Sequence, residues 1–494
     1  MAGRRTEVIF LLFLLQIAAF CDSRILSTNS RWIVDQATGK RVKLACVNWV
    51  SHLQPMIAEG LEKKPLSYIA RQIIATGFNC VRFTWATFMF TRPDYSKLTV
   101  SESLDKYGLK DAKAGLVKNN PQFLNMTVVE VHKAVVNELG KNKVMVVLDN
   151  HVSQPKWCCG GGDGNGFFGD AEFDPTEWLQ GLTAVAKTYK VYSAVVGLSY
   201  DTDLGFLKAK PFGVKLNNKL VYEAHWYSFG TPADEWAAET NHLCGAAART
   251  ARDNYVFLTT GDNPFPLFLS EFGIDQRGVN EADNRYISCL LAVAAETDID
   301  WALWTFQGSY MLREGTVNLE EVYGVNDLNW DRPRNPAFLD RLQLIRQLNQ
   351  EPKTNSPTYY IMFHPQSGQC VHIGKTNIVL ANCKTASRWD QHQDGGTIKV
   401  AGSGQCLGVA GDGKAARVSD DCSSNGSKWM YVSASGLHLG AQDGEAKYLC
   451  LERNASDSTL VTKKCLCVGD NLVDFPTCAD NPQVQWFKLV PANV

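Results

Sequence analysis

No sign of charge predominates in this sequence. Its 494 residues carry 49 lysines and arginines against 51 aspartates and glutamates, a net charge of −2. That balance argues against a nucleic-acid partner or an anionic membrane surface, both of which select for basic excess. Long apolar runs are equally scarce. One occurs near the start, Val8 to Phe20, broken only by Gln16. Nothing after it is long and apolar enough to cross a bilayer, for which ~20 residues are needed. The first run is itself too short to span. Arg4 and Arg5 precede it, and Ala18, Ala19 and Cys21 supply small side chains at its end. Residues 1–21 therefore read as a secretory signal peptide. The mature chain is expected outside the cell or in the cell wall, with no membrane anchor after cleavage.

Cysteine, by contrast, is plentiful. There are 15, and losing Cys21 with the signal leaves 15 − 1 = 14, an even number. Exported chains commonly pair such residues. Asn125-Met126-Thr127, Asn425-Gly426-Ser427 and Asn454-Ala455-Ser456 are glycosylation acceptors where they reach the surface. Hydrophobic residues at 45% and charged residues at 20% are ordinary for globular protein, and the length suits about two or three domains.

A polar run at residues 350–358 contains Pro352 and Pro357 and reads as a linker, centred on 351–358. Before it, over about residues 30–350, strand-like and helix-like segments alternate. Strand candidates are Val42–Asn48, Phe78–Thr84, Val144–Asn150, Val195–Ser199, Leu220–Tyr227, Leu267–Glu271 and Ile299–Thr305. Helical patterns occupy Leu66–Thr76, Thr127–Lys141, Thr176–Tyr192, Glu281–Glu296 and Pro336–Leu348. This alternation predicts parallel strands with helical crossovers, an α/β fold, and most simply a (β/α)8 TIM barrel. The count is one strand short. After Val195-Val196-Gly197-Leu198-Ser199-Tyr200-Asp201 only a short polar stretch precedes Leu220, too little for the usual crossover of a dozen or more residues. A βα unit is expected to be missing near residue 197.

Residues 359–494 show short strands, many glycines and a repeat. Gly368-Gln369-Cys370-Val371 returns as Gly404-Gln405-Cys406-Leu407, and more loosely as Tyr448-Leu449-Cys450-Leu451. A second cysteine follows at 383, 422 and 465, at spacings of 13, 16 and 15, and each copy then reaches a tryptophan, Trp389, Trp429 or Trp486. A repeat of this kind is one supersecondary unit packed against its copies. The third copy carries an extra pair, Cys467 and Cys478.

These C-terminal features resemble the ricin-B-type lectin module, a β-trefoil. The resemblance implies within-repeat disulfides and a possible glycan partner for this module. The chain departs from that family at two points. Its Gln-x-Trp motif reads Ser387-Arg388-Trp389, Ser427-Lys428-Trp429 and Val484-Gln485-Trp486, and His372, Gly408 and Glu452 stand where the family has a sugar-gripping aspartate.

The N-terminal part resembles glycoside hydrolase family 5, in particular its plant cellulase-like members, on five ordered motifs. They are Val81-Arg82-Phe83, Leu148-Asp149-Asn150-His151, Tyr222-Glu223-Ala224-His225-Trp226-Tyr227, Leu269-Ser270-Glu271-Phe272-Gly273 and Trp301-Ala302-Leu303-Trp304. The resemblance implies a retaining hydrolase of O-glycosyl bonds in a β-linked polysaccharide, endo-glucanase- or mannanase-like, needing no metal or organic cofactor. Glu271 would be the nucleophile. Arg82, His151, His225, Tyr227 and Trp304 would bind substrate or tune the carboxylate, with Trp304 as the stacking platform. A guanidinium beside a carboxylate keeps it ionised, as attack on an anomeric carbon requires.

The family's acid/base glutamate sits in an Asn-Glu pair ending the fourth strand, and no such pair follows Ala194-Val195-Val196-Gly197. Glu223 alternates inward with His225 and Tyr227 but lies a pleat deeper, and Asp201 and Asp203 stand near the fused strand. The missing acid leaves an alternative open, a carbohydrate-binding protein without turnover. The glycine-rich stretch from Cys158 and Cys159 to Asp174 offers Asp163, Asn165 and Asp170. Their spacing does not fit an EF-hand, and the stretch reads as a disulfide-pinned loop.

Overall fold

The computed structural model describes residues 25–494 apart from 159–162, 167, 190–195, 199–202, 210–215, 353, 355, 376 and 391–392. The expected signal peptide, Cys159 and Asp201 lie outside the described residues. A hairpin of β1 (Leu26–Asn29) and β2 (Trp32–Asp35) leads into a seven-stranded sheet. Its strands are β3 (Ala45–Trp49), β4 (Cys80–Ala86), β5 (Met145–Val152), β6 (Val196–Leu198), β7 (Leu220–His225), β8 (Leu267–Phe272) and β9 (Asp300–Leu303). They run in the order β5-β4-β3-β9-β8-β7-β6, and every neighbouring pair is parallel.

This is a barrel-like sheet with seven strands where a full barrel has eight. Closure would require β5 to pair with β6, and no such pairing occurs among the described residues. The break falls where the sequence is short of a strand and a crossover helix. β6 has three residues, and the described chain between it and β7 supplies only the four-residue helix Phe206–Ala209.

Parallel strands covered on both faces must be apolar throughout, and every residue of β4 and β8 is buried. The covering helices include Leu66–Ala75, Val128–Lys141, Pro175–Thr188 and Glu281–Thr297. Thr127 and Glu130 form a capping box at the second, and Asp174 caps the third. The expected Pro336–Leu348 helix divides at Leu342 into Pro336–Arg341 and Gln343–Arg346. Helix Thr240–Asn254 is an addition to the sequence reading. Its Gly-Ala-Ala-Ala-rich face lacks the large apolar stripe that would announce a helix. Disulfides brace this side of the molecule: Cys46–Cys80 joins β3 to β4, and Cys244–Cys289 joins two helices.

From Tyr359 onward all described strand pairings are antiparallel. Bonds Cys370–Cys383, Cys406–Cys422 and Cys450–Cys465 each close one sequence repeat, and Cys467–Cys478 closes the insertion. In the chain-entropy account, loops of this size contribute roughly 3 kcal/mol each. Trp389, Trp429 and Trp486 are fully buried, so the repeated tryptophans are core residues.

This all-β module packs directly on the barrel. Trp486 Nε1 donates to Asn241 Oδ1 at 3.1 Å, Cys383 N donates to Gln343 Oε1 at 3.0 Å, and Lys488 pairs with Glu296 at 2.7 Å. The polar run between them is anchored at its start. Glu351 N donates to Asn493 Oδ1 at 2.8 Å, and Gln350 Nε2 to the Pro491 carbonyl at 3.2 Å.

Candidate active site

Glu271 sits near the C-terminal end of β8, the end at which barrel enzymes place their chemistry. Its direction is set by the strand itself. Pairing with β7 runs Ala224 to Leu269 and then His225 to Glu271, so β8 holds one extra residue; its pairing with β9 shifts over the same stretch. Such a bulge re-aims a side chain. Backbone bonds fix it further: Trp226 N donates to the Glu271 carbonyl at 3.0 Å, and Trp304 N to the Phe272 carbonyl at 2.7 Å. The approach is so close that a Cβ on Gly273 would lie 2.4 Å from the Trp304 carbonyl oxygen, which is why glycine follows Phe272.

Glu271 is 7% exposed, and its carboxylate is held by three side chains from β4 and the end of β7. Arg82 Nη1, from β4, donates to Glu271 Oε1 at 2.8 Å. Tyr227 Oη donates to Oε2 at 3.3 Å, and His225 Nδ1 lies 3.6 Å from Oε2. Burial alone would raise the Glu271 pKa, but His225 and Arg82 outweigh it and hold the carboxyl below its ordinary range. Burial keeps His225 below the usual imidazole range despite the pull of Glu271. Burial, then the Glu271 charge, push the Tyr227 phenol well above its ordinary value. At neutral pH the site thus holds an ionised carboxylate, a neutral imidazole and a protonated phenol.

Arg82 is the hub. Its Nη1 also donates to Asn48 Oδ1 at 2.9 Å and stands 3.1 Å from Asp149 Oδ2, and its Nη2 is 3.7 Å from Glu223 Oε2. Asn48 Nδ2 in turn donates to the Ser270 carbonyl at 3.0 Å, tying β3 to β8. Burial works against the charged guanidinium, but Asp149, Glu223 and Glu271 together raise the Arg82 pKa. Burial likewise opposes the Asp149 charge, and Arg82 and His151 reverse the effect and lower its pKa. Glu223 goes the other way. Burial dominates there, and its pKa rises to about 7. It keeps its proton in weakly acidic solution.

The structure brings Arg82, His225 and Tyr227 onto Glu271 directly. His151 joins through Asp149, to which its Nδ1 is hydrogen-bonded at 2.7 Å. Its ring lies between His52, at 4.3 Å, and Trp304, at 5.7 Å. Trp304 differs from the expected open platform. It is 8% exposed, stacked on His151 and edged by Trp157. Phe229, unremarked in the sequence, is 70% exposed and stacks on Tyr227 at 4.6 Å, which gives the rim an open aromatic face. Asn48, Asp149 and His52 were also missed. Asp149 had a signal, since it alternates with His151 on one strand and must share its face.

Asp203, the described member of the Asp201/Asp203 pair, accepts from Gly205 N at 2.6 Å in its own turn. Asp163 and Asp170 likewise accept from backbone amides within their loop. The His52, His151 and Cys158 cluster has metal-like spacing, but Cys158 is disulfide-bonded and offers no thiolate. In the all-β module, Glu452 is committed to Lys463 at 2.6 Å and Gln485 at 2.9 Å, and His372 bonds the Asn382 carbonyl.

No family model matches the sequence. A glycosyl hydrolase 5 family protein of Chamaecyparis obtusa is 41% identical over 539 aligned positions, covering 98% of this chain and 96% of that protein. Since 539 − 494 = 45, at least that many aligned positions have no residue in this chain. Among solved structures, the hyperthermophilic endocellulase of Pyrococcus horikoshii is 14% identical with a TM-score of 0.47, over 65% of this chain and 99% of its own. The catalytic domain of the major endoglucanase of Xanthomonas campestris is 17% identical with a TM-score of 0.45, over 65% and 98%. With 41% identity across almost the whole of both sequences, this chain belongs to the glycosyl hydrolase 5 family.

Proposed function

We propose that this protein is a retaining glycosidase of β-linked polysaccharides, endo-glucanase- or mannanase-like, whose nucleophile side is fully built and whose acid side lacks the usual glutamate. The observation that carries the reading is Glu271, ionised and gripped by Arg82 at 2.8 Å with Tyr227 at 3.3 Å. In this reading a Glu271 oxygen attacks the anomeric carbon as the bond to the aglycone oxygen breaks, giving a glycosyl ester. Water then adds to the same carbon and gives its proton to solvent, and the carboxylate departs. The aglycone oxygen must collect a proton from water, or leave as a stable anion. His151 and His225 bind hydroxyls, and the Trp304 and Phe229 rings border the sugar site. Residues 1–21 direct export, and residues 359–494 form a ricin-B-type trefoil, a reading supported by the three repeat disulfides and buried tryptophans.

A second reading, glycan binding without turnover, is favoured by the lack of an Asn-Glu pair between Ala194 and Leu220 and by β5 and β6 edges that find no partner among the described residues. Leaving-group dependence separates the two. Dinitrophenyl β-glycosides, whose leaving group needs no acid, are expected to be hydrolysed with retention. Polysaccharide cleavage is expected to lag by roughly the 10²–10⁴-fold that general acid catalysis supplies. Glycan binding with neither activity establishes the second reading instead.

A further inference from the structure

A cavity of about 590 Å³ lies between the barrel and the all-β module, and none of the side chains around Glu271 lines it. Its size falls within the roughly 300–1,000 Å³ of ligand sites. Asn284, Asn335 and Arg341 come from the barrel side, and Gln369, Asn382 and Arg453 from the module. Ile274 and Phe338, both buried, supply apolar wall. The lining is thus amide- and guanidinium-rich over a small apolar surface, the composition that hydroxylated ligands require.

Two features narrow the ligand. The first is unmatched positive charge. Arg341 donates to the Ser288 hydroxyl at 2.9 Å and the Pro365 carbonyl at 3.3 Å, and Arg453 donates to the Ser458 hydroxyl at 3.3 Å. Neither has a carboxylate within ion-pair distance among the described residues, and burial alone lowers the Arg341 pKa to about 10. Asp340, the one acid of the wall, is exposed at the rim. The second is the set of amides, Asn284, Asn335, Gln369 and Asn382, which offer donors and acceptors to hydroxyl groups. A ligand that answers both presents a carboxylate and hydroxyls together.

We propose that this interdomain cavity binds an acidic saccharide, a uronic-acid-bearing glycan, with its carboxylate on Arg341 and Arg453 and a hydroxyl donating to Gln369. Charge-assisted bonds to guanidinium are the strong, discriminating ones in such a site. The site is separate from Glu271, so it holds whether or not the chain turns over a glycan. Calorimetric titration of the full chain with digalacturonate, its methyl ester and cellobiose tests it. The acid should bind about tenfold or more tighter than either neutral disaccharide, and Arg453→Gln should erase that difference while leaving dinitrophenyl-glycoside hydrolysis unchanged. Should that variant fail to fold, the acid-versus-ester comparison on the unaltered chain decides alone. Equal affinity for acid and ester, no heat from the acid at millimolar concentration, or an unchanged preference in the folded Arg453→Gln protein each overturns the proposal.

Discussion

Strands β8 and β6 lie two places apart in one sheet, yet they differ in almost everything a catalytic carboxylate needs. β8 is buried along its length, paired on both sides and bulged so that Glu271 turns into a ring of partners. Those partners come from β4 and from β7 and its end, far away in sequence. β6 has three residues and, among the described residues, a partner on one side only. In the proposed reading the contrast sets the kept half of a two-carboxylate site apart from the missing one. Arg82 reaches Glu271 from β4, while His225 and Tyr227 reach it from β7 and its end, the strand that still pairs with β6. A retaining site in that reading has two separately supported halves, and this chain keeps the one around Glu271.

The sharpest break of the comparison is at Glu271 itself. Glu271→Gln is expected to lower dinitrophenyl-glycoside hydrolysis by on the order of 10³-fold or more, as loss of a covalent nucleophile does. A steady-state assay with intact unfolding cooperativity as control checks it.

Next comes the hub. Arg82→Met strands the buried carboxylates of Glu271, Asp149 and Glu223, and urea unfolding should show a loss of about 3–5 kcal/mol. The Glu271 pKa is depressed in the fold, so its pairing stabilises the protein above the ordinary carboxylate range and is lost as pH falls through the folded value. Without Arg82 that folded value rises, and the acidic limb of kcat/KM should move to higher pH.

Glu223 tests the opposite sign. With its pKa raised from 4.5 to about 7, the fold binds a proton that the unfolded chain has released, so its contribution weakens as pH rises from about 4.5 to 7. Glu223→Gln should flatten the decline in stability across that window and make the variant no less stable than the parent at pH 8. A decline as steep as the parent's would show that Glu223 titrates normally. Smallest is Tyr227→Phe, which removes one 3.3 Å hydrogen bond, worth about 1 kcal/mol. It should cost less than about tenfold in kcat/KM.

Much of the fold was legible because parallel strands must be apolar. The strand runs around Val81, Leu148, Ala224, Leu269 and Ala302 all form strands, and the short count at residue 197 corresponds to the edges left unpaired among the described residues. The juxtaposition of Arg82 with Glu271 was legible only through the ordered motifs, because nothing local in either segment names the other. What was not legible depended on register or packing. Asn48 reaches Arg82 because the two are partners in the β3–β4 ladder, a pairing no spacing within the sequence encodes. Trp304 looked like an open platform because an aromatic at a strand end says nothing of what will cover it. Here His151 and Trp157 do, and the exposed ring is Phe229. The Thr240–Asn254 helix escaped because its alanines pack without a stripe of large apolar residues.

Covalent trapping addresses the central claim most directly. The protein is incubated with dinitrophenyl 2-deoxy-2-fluoro-β-glycosides of the gluco and manno series, digested, and the labelled peptide identified by mass spectrometry. Stoichiometric glycosylation of Glu271, with slow release in water, is the predicted result. An unlabelled protein that still binds β-linked oligosaccharides, or a label on another carboxylate, would contradict the account.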